Sequence, residues 1–273
     1  MDVNILCAPG YSEAAVINKA IQICESRGDC IFIVDAPFGL EPQDVADWHN
    51  GASTYKEDHV AFNSSYAAAY WPWLKVYDEY NDRKVWVPPS GLIAGVYAYN
   101  DSQAETWFAP AGLNRGRLTG PLAVEYAAGQ GDRDMLYSNG NAINPIINIA
   151  KEGITVWGQR TLQRKASATD RVNVRRLMNL IRKSITLATR YYVFESNDSQ
   201  TWTQWKDMVN PYLMDIKNRR GLYNLLVVMD ATTVTDEDID NNRMPGIIYV
   251  QPTKSAEIIP ISFVVTKTGV HLG

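Results

Sequence analysis

Apolar and polar residues follow two rhythms along this chain, and the helical one is clearest between residues 170 and 190. At 100° per residue, Val174, Leu177, Met178, Ile181, Ile185 and Ala188 share one arc. Arg175, Arg176, Arg182 and Lys183 cluster on the other side. This spacing predicts a long amphipathic helix, its apolar arc buried against a sheet and its basic arc facing water or a partner. Apolar segments at 153–159 and 191–196 predict a strand on each side of it.

Earlier in the chain, residues 3–9 read as a strand. A helix capped by Ser12 follows, carrying Val16, Ile17, Ala20, Ile21 and Cys24 and stopping at Gly28. Residues 30–37 form a near-continuous apolar run, the pattern of a parallel strand buried on both faces. These pieces predict a βαβ unit. A short helix over 42–49, an aromatic strand over 68–78 and a helix opening at Ser90 come next. Residues 107–120 and 129–144 are rich in Gly, Pro and Asn and read as loops. The second of these suggests a boundary, giving domains at 1–138 and 139–273.

Beyond the basic helix, Asp198 or Ser199 caps a helix to Val209, and Pro211 interrupts or restarts it. Residues 221–230, 246–252 and 257–265 read as strands, with an acidic turn or short helix at 235–243. The whole predicts an α/β sheet-and-helix sandwich followed by a smaller α+β domain. In the last strand, Ile259, Ile261, Phe263 and Val265 share a face. Pro260 cannot donate to a ladder, so this strand is expected at an edge, where it can make sheet contacts with a neighbouring subunit.

Charge sharpens the picture of the helix. The chain carries a net charge of -4 over 273 residues. From Arg160 to Arg190, however, nine bases face one acid, Asp170, a local charge of +8. Exposed helix faces usually mix signs, so this arc suggests docking to something acidic. Few aromatics sit among the bases, which argues against stacking on nucleic acid. The acidic residues Asp236, Glu237, Asp238 and Asp240 form a second charged surface that could meet a basic one on an adjacent subunit.

No apolar run approaches the roughly 20 residues of a membrane span, and Met1 leads into a strand pattern rather than a secretory leader. Cys7, Cys24 and Cys30 sit in apolar contexts and are expected as buried free thiols in a reducing compartment. His49, His59 and His271 lack metal-pair spacing, and no nucleophile elbow or phosphate loop occurs. No cofactor is expected. The remaining catalytic alternative is a hydrolase-like enzyme using Asp35 at a strand end. There, as at Asp230, a capping or turn role competes with chemistry.

Seven segments in order resemble the contractile tail sheath proteins of bacteriophages. They are VPPSGLIAGVYAYND (87–101), WFAPAG (107–112), NAINPI (141–146), VWGQRTL (156–162), NVRRL (173–177), VFESNDSQTW (193–202) and AEIIPISFVVTKTG (256–269). The resemblance implies a structural rather than enzymatic protein. It implies hexameric rings of sheath subunits around a tail tube, linked by exchanged terminal strands. Contraction of such a sheath drives the tube through the host envelope for genome ejection. Tail tube, baseplate and tail terminator proteins are the implied partners, with no direct nucleic-acid contact and no membrane insertion. The implied location is the virion tail, assembled in host cytoplasm. Family members usually carry a longer N-terminal portion with an arm, so the chain reads as a shortened form. By the same resemblance Arg175, Arg176, Arg182 and Lys183 face the tube or a neighbouring subunit, and the second domain lies nearest the tube.

Overall fold

The computed structural model describes residues 3–51, 61–138 and 140–260. Strand β1 (Ile5–Cys7), helix α1 (Ala14–Arg27) and strand β2 (Ile31–Asp35) form the expected βαβ unit, with β1 and β2 parallel. Glu13 rather than Ser12 caps α1, without a side-chain bond. At the other end Gly28 takes the left-handed conformation, φ 68°, that lets its N–H donate to the Cys24 carbonyl.

All of β2 is buried because both its faces are covered. Phe32 and Val34 join Ile17, Val45 and Trp48 in one core, while Ile31 and Ile33 join Ile93, Tyr97 and Ile154 in the other. Cys24 and Cys30 are buried free thiols in the first core, and Cys7 is half-buried. Helices α2 (Pro42–Asn50) and α3 (Ser90–Gln103) stand where the pattern predicts them, on opposite faces of the sheet.

The aromatic stretch predicted as one strand is two. Strand β3 (Ala67–Trp71) lies in the central sheet, parallel to β2. Pro72 has no N–H for the ladder. The chain leaves the sheet there, and β4 (Leu74–Asp78) pairs antiparallel with β5 (Arg83–Val87) and β6 (Ala123–Val124) in a separate small sheet.

Two short helices, α4 (Gly112–Arg115) and α5 (Gln130–Leu136), occupy stretches that read as loop. Strand β7 (Ile143–Ile149) then runs parallel to β3, and β8 (Gly153–Val156) is antiparallel to β7. The central order is β1-β2-β3-β7-β8, so this sheet continues across the division placed at residue 138. The Gly and Asn density at 129–144 belongs to a crossover between neighbouring strands, not to a linker.

A 3₁₀ turn (Ala168–Asp170) leads into the long helix α6 (Val172–Thr189). A second 3₁₀ turn (Arg190–Tyr192) follows where a strand was predicted, and Tyr191, Val193 and Phe194 there are exposed. Asp198 caps α7 (Ser199–Asn218) as expected, accepting from the Thr201 N–H at 2.9 Å. That helix runs through Pro211 without a break, with Val209 and Leu213 on either side both fully buried. Strand β9 (Leu222–Val228), helix α8 (Asp236–Asp240) and strand β10 (Ile247–Pro252) complete the smaller α+β unit. Its core joins Leu177, Ile181 and Ile185 of α6 to Trp205, Val209 and Val227.

Candidate assembly interface

The apolar arc of α6 is buried as predicted at Val174, Leu177, Ile181 and Ile185. Its basic arc is not a single exposed surface. Arg176 is 5% exposed and donates to the Asp101 carboxylate at 2.6 Å, its guanidinium 4.7 Å from the Tyr97 ring centre. It belongs to a second buried face at three-residue spacing with Asn173 and Asn179. These asparagines donate to the Trp107 and Cys30 carbonyls at 3.1 and 3.0 Å. Arg175 is half-buried, bonded to Ser65 at 2.5 Å and stacked 4.1 Å from the Tyr66 ring; burial lowers its pKa. A helix covered on two sides hides polar residues among partners distant in sequence, which a wheel drawn for one apolar face counts as solvent-facing.

The other half of the arc is different. Lys183 is half-buried and donates to Asn4 at 2.9 Å, while Arg182 is exposed. The Arg182 guanidinium lies over Gly28, where a Cβ would come within 2.4 Å of it. Together with Arg190, beyond the helix end, these residues border a surface groove of about 510 Å³ between the ends of α1 and α6.

The second feature is the β9–β10 sheet. Among the described residues it has two strands, so both its edges lack a partner strand. Its register pairs Tyr249 with Leu226 and Ile247 with Val228. Tyr249, Leu226 and Ile247 are exposed, leaving an apolar outer face. Two-stranded sheets alone are marginal in water.

From β10 the chain returns to the larger unit. Asn173 reaches Ser255 at 3.3 Å, and Arg171 grips Glu257 with two bonds of 2.6 and 2.9 Å. The Tyr137 hydroxyl donates to the same carboxylate at 2.9 Å. Burial pushes the Glu257 carboxyl up, but the bonds and charge of Arg171, with Tyr137 and Arg160, outweigh it and hold it low. Beyond this anchor Ile258 and Ile259 are 86% and 75% exposed. Ile259 lies outside any strand; Ile261, Phe263 and Val265 fall outside the described residues.

The catalytic alternative loses its support at Asp35. That carboxylate is buried and accepts from the Ser90 N–H at 2.8 Å, the Ser90 hydroxyl at 2.6 Å and the Gly10 N–H at 3.2 Å. Burial raises its pKa against those bonds. Ser90 is equally sealed from solvent. The pair therefore ties α3 to the end of β2, with no room for a substrate. Asp230 closes a turn through the Thr232 N–H and hydroxyl.

A family model described as the phage tail sheath protein central domain matches residues 1–162, and one for the phage tail sheath C-terminal domain matches residues 164–266. The tail sheath protein of Vibrio phage KVP40 is 36% identical over 254 residues, 89% of this chain and 38% of that protein. The tail sheath protein of Enterobacteria phage T4 is 33% identical over 273 residues, 96% of this chain and 41% of that protein. The chain thus spans about two fifths of each. Among solved structures, the contracted sheath complex of the extracellular contractile injection system PVC superimposes with a TM-score of 0.82 at 28% identity, covering 97% of this chain and 71% of that one. The contracted helical sheath of the anti-feeding prophage gives 0.77 at 25% identity, covering 96% and 69%.

Proposed function

This chain belongs to the phage tail sheath family, and we propose that it is the folded core of a contractile sheath subunit. In this reading it assembles with copies of itself around a tail tube and contracts to drive that tube through the host envelope. Its place is the virion tail, built in the host cytoplasm, with hexameric rings, a baseplate and a tail terminator as the surrounding assembly. Its role is structural, and the sealed Asp35–Ser90 pair supports no rival chemistry.

The observation that carries the proposal is the order of the two sheath matches, which together span 1–162 and 164–266. The surface of the smaller unit supports it. Among the described residues, an apolar two-stranded sheet with no partner strand at either edge leads into a tail that is anchored at Glu257 and then departs as exposed apolar residues. A strand from a neighbour would satisfy both the unpaired edge and the apolar face. The exposed remainder of the basic arc, Arg182, supplies a charged contact that is weak singly and summed over many subunits.

Electron microscopy of the full-length protein at rising concentration tests this reading. Rings or tubes are expected, and a protein that stays monomeric throughout contradicts it.

A further inference from the structure

The groove bordered by Arg182 and Arg190 has a counterpart elsewhere on the same chain. We propose that it receives helix α8 of a second copy, an inference that rests on the sheath reading and gives one of its contacts an identity.

On the groove side, Arg182 and Thr186 lie four residues apart on one ridge of α6, and Arg190 follows four residues later in the 3₁₀ turn at its end. Leu187 stands beside that ridge, 46% exposed. The neighbouring Arg27 is already paired with Asp29 at 2.9 Å. Arg182 and Arg190 form no ion pair among the described residues, in a chain whose net charge is -4.

Helix α8 mirrors this pattern with opposite charge. Thr235 and Asp238 form its capping box, and Asp238 also pairs with Arg243 at 2.9 Å, so that acid is used internally. Asp236, Glu237 and Asp240 are exposed. Among them Ile239 is 37% exposed, an apolar centre ringed by acids to match Leu187 ringed by bases. Asp236 and Asp240 are one turn apart on one ridge.

The two surfaces are different patches of one chain, so each copy offers a groove to one neighbour and a helix to another. Such a heterologous contact propagates into rings or helical filaments rather than closing as a dimer. Its exposed charges make it sensitive to salt, a property suited to a contact that is exchanged when a lattice rearranges.

The test mixes two variants of the full-length protein, Leu187→Cys and Ile239→Cys, under mild oxidation. A disulfide-linked heterodimer is expected from the mixture and absent from either variant or the wild type alone. Adding Arg182→Glu and Arg190→Glu to the first variant abolishes it. Adding Asp236→Lys and Asp240→Lys to the second then restores it. No heterodimer from material that still forms tubes overturns this contact and leaves the sheath reading standing; no heterodimer and no tubes overturns both. A heterodimer indifferent to the charge reversals refutes the pairing described here. Loss of tail-tube binding by the reversed groove, without any cross-link, assigns the groove to the tube instead.

Discussion

Arg176 and Arg182 lie on one helix, look alike in sequence and do opposite things. Arg176 is enclosed, bonded to Asp101 and stacked on Tyr97, whereas Arg182 lies on the surface. Arg176→Ala removes a charged hydrogen bond and buried packing and is expected to cost about 1–3 kcal/mol. Arg182→Ala is expected to stay within about 0.5 kcal/mol. Chemical denaturation of the two variants measures the contrast, and equal losses would restore the single exposed arc. Reversing all four of Arg175, Arg176, Arg182 and Lys183 therefore confounds folding with docking. Sequence spacing located the apolar residues of α6 correctly, because hydrophobic periodicity is a local signal. It could not locate Asp101, Ser65 or Tyr66, the distant groups that make buried positions tolerable for two arginines. Asp35 is the converse case: its capping role was readable from its place at a strand end, although its donors, Gly10 and Ser90, were not.

At the scale of elements, β2, α2 and α3 follow their patterns closely and α7 starts at its expected cap but runs on through Pro211, while the terminal segment departs further. Its apolar alternation suggests a strand over 257–265; within the described residues, 253–260 run instead as an anchored strap held at Glu257. Alternation records which side chains want cover and does not say whether the covering strand belongs to the same chain. The strap carries a pH signature. Glu257 titrates below its ordinary 4.5 in the folded state. Its stabilisation is therefore complete above that value and is lost as pH falls through the lower folded one. Glu257→Gln keeps the shape but removes the charge, and is expected to weaken the anchor by about 1 kcal/mol, roughly fivefold in opening. Hydrogen exchange at Thr253, whose N–H donates to the Gly221 carbonyl at 3.1 Å at the start of the strap, reads this out. Protection should fall in wild type on acidification below pH 4.5 and be lower at neutral pH in the variant, changing little with acid. Protection unaffected by either change contradicts the anchor.

At the scale of the molecule, the order of an α/β unit followed by a smaller α+β unit was legible, because strand and helix rhythms alternate throughout. The seam was not. Residues 129–144 look like a linker by composition, but they hold α5 and the last part of the crossover from β3 into β7, and only pairing between distant strands discloses that. The assembled protein has a similar requirement: among the described residues the β9–β10 sheet has no partner strand at either edge. Cryo-electron microscopy of assembled full-length protein tests this most directly. A strand from a different subunit, hydrogen-bonded to an edge of β9–β10, is the predicted result. Assemblies in which that sheet keeps both edges in solvent, or is completed by its own chain, would contradict the account.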